Sequence, residues 1–117
     1  MKTICIFNQK GGVGKTTTNI NLCSYLALEG YKVLAIDIDP QGNTTSGLGF
    51  DKRKIEQSVY DVLNSDVSLK EVIKECQVIN NFYLAPSTME LAGAEVELII
   101  RVNRETILKR KIAELKD

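Results

Sequence analysis

The stretch N-Q-K-G-G-V-G-K-T-T-T at residues 8–18 constrains the fold more than any other part of the sequence. It follows an apolar run and opens a predicted helix. Closely spaced glycines let the backbone turn its N–H groups inward, and the first turn of a helix adds unpaired N–H groups and a positive dipole end. The stretch is therefore predicted to be a phosphate-binding loop.

The spacing matches the P-loop pattern G-x-x-x-x-G-K-S/T except at the first position, where Gln9 replaces glycine. Lys15 stands where a lysine reaches the β- and γ-phosphates, and the Thr16 hydroxyl stands where a Mg²⁺ ligand is expected. A structural glycine turn is the alternative, which the position between a strand and a helix disfavours. The predicted nucleotide-binding residues are Gly11, Gly12, Val13, Gly14, Lys15, Thr16 and Thr17.

Two carboxylates end the second predicted strand, which runs from Lys32 to Asp39. Asp37 and Asp39 are two residues apart and therefore share a face of that strand. In an open parallel sheet, ligands bind beyond the carboxyl ends of the strands. Both side chains are thus expected beside the phosphate-binding loop, near Mg²⁺ or the attacking water, and Asp39 is the stronger candidate. The alternative is that they only cap the turn at Pro40.

The apolar pattern predicts one α/β domain over residues 1–117, a P-loop NTPase-like parallel sheet flanked by helices. A continuous apolar run predicts a buried first strand at Thr3–Phe7, and Phe82–Ala85 predicts a third strand. Residues 40–54 are rich in Gly, Asn, Thr and Ser, so they are predicted to form a surface loop. Helices are predicted at residues 15–29, 58–64, 68–76 and 104–115, and a long helix is predicted after a capping box at Ser87–Glu90.

The composition limits the possible partners and sites. The 117 residues include 15 acidic and 15 basic side chains, so no net charge argues for nucleic acid or a membrane. The basic residues after residue 100 are more typical of a solvated helix face than of a DNA-binding patch. Three cysteines without C-x-x-C spacing, and no histidine, disfavour a zinc site and indicate reduced thiols in the cytoplasm.

With D-I-D-P-Q-G-N at residues 37–43 beside N-Q-K-G-G-V-G-K-T-T, the chain resembles the ParA/Soj family of partition ATPases from Thr3 to about Leu115. The resemblance implies ATP and Mg²⁺ as cofactors and residues 37–49 as a switch region. It implies that Lys10 reaches the nucleotide of a second subunit in an ATP-dependent dimer. Asp39 would act in hydrolysis, and Asp37 would lie near the water shell of the metal.

The resemblance also implies partners for the full-length protein: a ParB-type DNA-binding protein and non-specific DNA on the nucleoid, and no membrane. A P-loop ATPase needs a second acidic arm, the Walker B aspartate after another apolar strand, and this sequence contains none. We therefore expect the N-terminal portion of a domain truncated before the Walker B strand, which is inactive alone. The alternatives are a MinD-type ATPase and a nucleotide-binding or dimerising module without turnover. A nitrogenase iron-protein type is disfavoured because the cysteines do not match its cluster ligands.

Overall fold

The computed structural model describes residues 2–6, 14–65, 67–91 and 106–115, and the secondary structure of these residues alternates between helices and strands. The phosphate-binding stretch therefore lies partly outside the described residues, as does the segment predicted to be a long helix. In chain order the elements are α1 (Lys15–Leu28), β1 (Val33–Ile36), α2 (Asn43–Gly47), a 3₁₀ turn (Lys52–Lys54), α3 (Val59–Asn64), α4 (Leu69–Val72), β2 (Lys74–Glu75), β3 (Phe82–Ala85) and α5 (Ile107–Ala113).

The described strands form one mixed sheet in the order β1-β3-β2. β1 and β3 are parallel, with Val33 opposite Phe82 and Ile36 opposite Ala85. The short β2 is antiparallel to β3. The predicted α/β class is confirmed, and the carboxyl ends of β1 and β3 meet at one edge, where Asp37 N donates to Ala85 O at 3.0 Å.

Helices cover both faces of this sheet, because successive side chains of β1 point to opposite faces and both sets are apolar. Val33 and Ala35 belong to an apolar cluster that contains Cys23 and Ala27 of α1. Leu34 and Ile36 pack into a second cluster, on the opposite face, with side chains of α3 and α4. The buried residues of that second cluster are Val59, Val62, Leu69, Val72, Ala85 and Leu91. The chain is therefore layered as helix, sheet and helix, which leaves the strand ends free for a site.

The predicted boundaries of α1 and of α3 are confirmed to within one residue. Gly30 follows α1 with a φ of 97°, the left-handed conformation that commonly stops a helix. α3 begins with a capping box in which the backbone N–H of Ser58 donates to Asp61 Oδ2 at 2.8 Å. Such local signals fix helix ends because they satisfy N–H and C=O groups that the helix itself leaves unpaired.

The helix predicted at residues 68–76 is wrong beyond Val72. Ser68 and Glu71 form the expected capping box at its start, but α4 ends after four residues. Lys74 and Glu75 then pair with β3, and Cys76 N donates to Phe82 O at 2.9 Å. The backbone of this segment bonds to the free edge of β3 in place of continuing the helix.

The predicted strand at the N-terminus is also wrong for its described part. Residues 2–6 do not form a strand, and Ile4 has 59% of its surface exposed. A strand needs a neighbouring strand to pair its N–H and C=O groups, and among the described strands β1 pairs with β3 alone. Residues 2–6 therefore lie outside the described sheet, with Ile4 and Cys5 exposed and Ile6 half-buried.

The segment after β1 is more ordered than the predicted surface loop. Residues 43–47 form α2 and residues 52–54 form the 3₁₀ turn. Thr44 is 6% exposed and Thr45 is fully buried, so α2 is packed into the protein. The backbone of the predicted switch region is thereby fixed close to the strand ends.

The basic residues of the last described helix, α5, predict a solvated surface, but part of this helix is buried. Lys111 is 5% exposed, and its Nζ lies 3.8 Å from Glu114 Oε1. Ile112 and Leu115 pack against the cluster formed with α3 and α4. This helix therefore contributes to the core. None of the helices in the described part of the chain has both the length and the apolar character needed to cross a membrane.

Candidate phosphate-binding site

The N-terminus of α1 has backbone donors that the helix itself leaves unpaired. Gly14 precedes the helix with a φ of 88°, and the first helical hydrogen bond runs from Thr18 N to Gly14 O at 2.8 Å. The N–H groups of Lys15, Thr16 and Thr17 consequently have no partner within the helix. The first turn contains no acidic side chain, and none of the described side chains caps it. The positive end of a 14-residue helix with these donors favours a bound anion.

Only part of the predicted phosphate-binding set lies within the described residues. Lys15 and Thr16 are half-buried in the first turn of α1, and Thr17 is exposed. Gly14 adopts the left-handed conformation that glycine tolerates. Lys10, Gly11, Gly12 and Val13 lie outside the described residues, so their roles stay predictions.

Asp37 is held rigidly just beyond β1. The residue is 4% exposed. Its Oδ2 accepts from Thr45 N at 3.0 Å and from Thr45 Oγ1 at 2.7 Å, and its Oδ1 accepts from Asp39 N at 3.2 Å. Gly42, which precedes α2, has no side chain that can cap this helix. Asp37 therefore caps the first turn of α2 from the end of β1. This capping role is close to the alternative that Asp37 only caps the turn at Pro40.

Asp39 is less enclosed than Asp37. It is half-buried, and its Oδ1 accepts from Gln41 N at 3.0 Å, which stabilises the turn at Pro40. Its carbonyl oxygen accepts from Gly42 N at 2.8 Å and from Ser87 Oγ at 2.5 Å. Among the described residues, none donates to Oδ2 of Asp39. The backbone of Asp39 is therefore fixed, while one carboxylate oxygen is available to a ligand.

The helix α2 joins this acidic strand end to α1. Asn19 Nδ2 donates to Thr44 Oγ1 at 3.3 Å across the two helices. A Cβ atom added to Gly47 would lie 2.7 Å from Ile20 Cδ1 and 3.9 Å from Thr16 Cγ2, so α2 packs directly on the first two turns of α1. The structure thus brings Thr16 close to α2, the helix that is bonded to Asp37. The placement of Asp37 and Asp39 beside the phosphate-binding loop stays a prediction.

Two residues that organise the site were not identified from the sequence. Thr45 was part of a segment predicted to be a loop, and Ser87 was predicted to cap a helix. The capping prediction for Ser87 is wrong, because residues 88–90 are not helical. Instead, the N–H of Ser87 donates to Thr45 Oγ1 at 3.0 Å, and its hydroxyl donates to Asp39 O. The available signal was the position of Ser87 after β3, at the same sheet edge as Asp37.

The described residues could hold a cation whose other ligands come from a bound molecule, rather than one held by protein side chains alone. Among them, no group of three or more His, Cys, Asp or Glu side chains could hold a metal ion. Mg²⁺ commonly takes one or two protein oxygens and completes its shell with phosphate and water. The Thr16 hydroxyl and the Asp37 carboxylate match that limited donor set.

The cysteines are free, as the sequence indicated, and they differ in exposure. Cys5 is exposed, whereas Cys23 and Cys76 are buried. Burial raises the pKa of the Cys23 thiol, and its Sγ donates to Asn19 Oδ1 at 3.4 Å. Asn19 in turn donates to Thr44, so Cys23 supports the contact between α1 and α2.

Comparison with known families and proteins agrees with the geometry. The family described as AAA domain matches residues 1–117. The sporulation initiation inhibitor protein Soj of Bacillus subtilis (strain 168) is 51% identical over 115 residues, which are 98% of this chain and 45% of that protein. The chromosome-partitioning ATPase Soj of Treponema pallidum (strain Nichols) is 47% identical over 116 residues, which are 99% of this chain and 44% of that protein. The chain thus spans less than half the length of these relatives.

A solved structure has the same fold over nearly the whole chain. Cobyrinic acid a,c-diamide synthase from Mycobacterium smegmatis, with bound ATP analog and magnesium, superposes with a TM-score of 0.88 at 42% identity. The match covers 94% of this chain and 44% of that protein. Sequence and fold therefore agree, and the chain belongs to the AAA-domain family that includes the Soj/ParA partition ATPases.

Proposed function

We propose that the protein carrying this chain binds ATP with Mg²⁺ and hydrolyses it to drive DNA partition. The observation that carries the proposal is the packing of α2, which lies on the first two turns of α1 and is capped by the carboxylate of Asp37. Anion donors and a carboxylate at one sheet edge are the parts that a nucleotide with a bound cation requires. The identity of 47% to the chromosome-partitioning ATPase Soj of Treponema pallidum supports the same function.

The phosphates would be bound mainly by the first turn of α1 and the loop before it. The unpaired N–H groups of Lys15, Thr16 and Thr17 donate to phosphate oxygens, and the Lys15 ammonium adds a charge-assisted contact. Gly11, Gly12 and Gly14 allow the backbone to approach the phosphates closely. These residues bind the nucleotide and orient it.

Mg²⁺ fits the oxygen donors that the chain provides near this turn. When bound, the ion would neutralise charge on the β- and γ-phosphates. Thr16 would hold it through its hydroxyl, and Asp37 through Oδ1, which accepts only one described hydrogen bond. Asp39 presents a carboxylate oxygen that can accept a proton from, and orient, a water molecule for hydrolysis.

The remaining steps of the proposed function involve other molecules. Lys10 of one subunit would contact the nucleotide of a second subunit, where its charge would stabilise negative charge on the phosphates. ATP-dependent dimerisation would then complete each site. Release of non-specific DNA and of a ParB-type partner after hydrolysis would couple turnover to partition, on chromosome or plasmid.

Phosphate release tests this proposal in a chain extended to the length of the relatives. The parent is compared with Lys15→Ala and with Lys70→Ala, which removes an exposed lysine on α4 as a control. The parent and Lys70→Ala should release phosphate only with Mg²⁺. The rate of phosphate release by Lys15→Ala should be at least about tenfold lower, because a charge-assisted contact is lost. Turnover by Lys15→Ala at the parental rate would contradict the proposal. Nucleotide binding by the parent without any turnover would instead indicate a binding module.

A further inference from the structure

We propose that Thr45 is the positioning residue that decides which oxygen of Asp37 is presented to the divalent cation, with Ser87 holding Thr45 in place. The inference rests on the proposed function, because it assigns a task within the same nucleotide site. It concerns four residues at the edge where β1 and β3 end. Their hydrogen bonds form a closed ring, the carboxylate ring, which consists of Asp37, Thr45, Ser87 and Asp39.

The hydrogen bonds of Asp37 leave little freedom for its carboxylate. A carboxylate has about four lone-pair sites on its two oxygens. Thr45 occupies both sites of Oδ2, through its backbone N–H and its hydroxyl. Asp39 N occupies one site of Oδ1, at the longer distance of 3.2 Å. Within the described residues, the capacity that remains for a ligand therefore lies on Oδ1.

The direction of the Thr45 hydroxyl is fixed by Ser87. A backbone N–H can only donate, so Thr45 Oγ1 must accept the bond from Ser87 N at 3.0 Å. The single hydroxyl proton of Thr45 is then directed to Asp37 Oδ2, at 2.7 Å. Both Thr45 and Ser87 are fully buried, so water does not compete for these bonds. The N–H of Ser87 thereby occupies a lone pair of Thr45 Oγ1 and holds this hydroxyl in place against Asp37.

The ring also connects the two carboxylates of the site. Ser87 Oγ donates to the carbonyl oxygen of Asp39, and Asp39 N donates to Asp37 Oδ1. Loss of the Thr45 hydroxyl would leave Ser87 N without its buried acceptor and Asp37 Oδ2 with one donor fewer. The carboxylate could then rotate, and Oδ1 would no longer be held toward a bound cation. Thr45 thus acts through Asp37 and touches neither nucleotide nor metal.

The neighbouring threonine provides a matched control. Thr44 is also buried, at 6% exposure, but its hydroxyl accepts from Asn19 of α1 and belongs to no contact with Asp37. Thr44→Val and Thr45→Val are the same isosteric change at adjacent positions of α2. Thr45→Ser keeps the hydroxyl and loses only a methyl group. A purely structural role would not separate these variants by their response to Mg²⁺.

The test is calorimetric titration of a non-hydrolysable ATP analogue into a chain of the relatives' length, once in EDTA and once with Mg²⁺. For Thr45→Val we expect the affinity gained on adding Mg²⁺ to fall about tenfold, with the affinity in EDTA unchanged. For Thr45→Ser and Thr44→Val, the affinity gained on adding Mg²⁺ should equal that of the parent. Urea unfolding of each variant shows whether it is folded, and Thr45→Ala, which adds no apolar volume, replaces Thr45→Val if the latter does not fold.

The outcomes separate this inference from the function on which it rests. If Thr45→Val keeps the parental Mg²⁺ gain, or if Thr44→Val loses as much, Thr45 does not position Asp37 and the inference is wrong. If the parent binds no nucleotide under either condition, the proposed function fails, and the inference fails with it. Loss of affinity in EDTA as large as that in Mg²⁺ would also overturn the inference, because it would show a general disturbance of the site.

Discussion

Thr45 donates both its backbone N–H and its hydroxyl to one carboxylate oxygen of Asp37, at 3.0 and 2.7 Å. This pair joins α2 to the end of β1 inside the protein, since Asp37 is 4% exposed and Thr45 is fully buried. Hydrogen bonds to a carboxylate in such surroundings are stronger than those between neutral groups in water. The acidic strand end and the helix that follows it are therefore one structural unit.

Asp39→Ala is expected to retain nucleotide but to block hydrolysis. A carboxylate that orients water stabilises the transition state more than the bound ground state, so turnover should fall at least about 100-fold. Affinity for ATP with Mg²⁺ should stay near the parental value. Single-turnover phosphate release and calorimetry, both in a chain of the relatives' length, measure the two quantities separately. Parental turnover would return Asp39 to its observed role in the turn at Pro40.

Gly42→Ala is expected to lower the free energy of unfolding more than Gly49→Ala. Both glycines have positive φ, 62° and 90°, so alanine costs about 1 kcal/mol of backbone strain at either position. At Gly42 the added Cβ would also lie 2.8 Å from Lys52 Cδ, whereas at Gly49 nothing lies within 4 Å.

The additional loss at Gly42 would come from Lys52, whose Nζ donates to Gln41 O at 2.5 Å. Moving the Lys52 side chain should break that contact and loosen the segment between β1 and α2. Urea unfolding curves with equal slopes would give the two free-energy differences. Equal losses for the two variants would mean that the contact of Lys52 with Gln41 adds no measurable stability.

The three thiols are expected to react at different rates. Cys5 is exposed, whereas Cys23 and Cys76 are 8% and 6% exposed. Ellman's reagent should therefore modify one thiol quickly in the native protein and the other two only after denaturation. Cys5→Ser should remove the fast phase. A fast phase that persists in Cys5→Ser would show that Cys23 or Cys76 is accessible.

The pH dependence of Cys23 follows from its burial. Burial raises the pKa of the folded-state thiol, so the folded protein holds this proton more tightly than the unfolded chain. Its contribution to stability is complete below the ordinary thiol pKa of about 8.5 and declines as the pH rises above that value. Cys23→Ala should flatten this alkaline decline in urea unfolding, and an unchanged decline would exclude Cys23 as its source.

Local sequence signals predicted α1, β1 and α3 because each of them is decided by nearby residues. Gly30 marks the end of α1, Ser58 with Asp61 marks the start of α3, and Asp37 marks the point where β1 meets the site. Apolar periodicity and capping chemistry act over a few residues, so they are visible in a single sequence. The α/β class and the acidic strand end followed from these signals.

The errors occurred where distant partners decide the structure. Lys74 and Glu75 have no strand pattern and pair with β3 only because its edge is free. Ile4 has a strand pattern but is exposed, since no described strand pairs with residues 2–6. The bond between Thr45 and Ser87 spans 42 positions in the sequence, and no local rule indicates it.

The binding of an ATP analogue with Mg²⁺ to the parent and to Lys15→Ala tests the central claim most directly. Lys15 lies in the first turn of α1, whose N–H groups have no partner within the helix, and its ammonium should contribute about 1.5–3 kcal/mol to the affinity. Calorimetry on a chain of the relatives' length should therefore show Mg²⁺-dependent binding by the parent and at least about a tenfold weaker affinity for Lys15→Ala. Equal affinities for the two proteins, or no binding by the parent, would contradict the assignment of this end of the sheet as a nucleotide site.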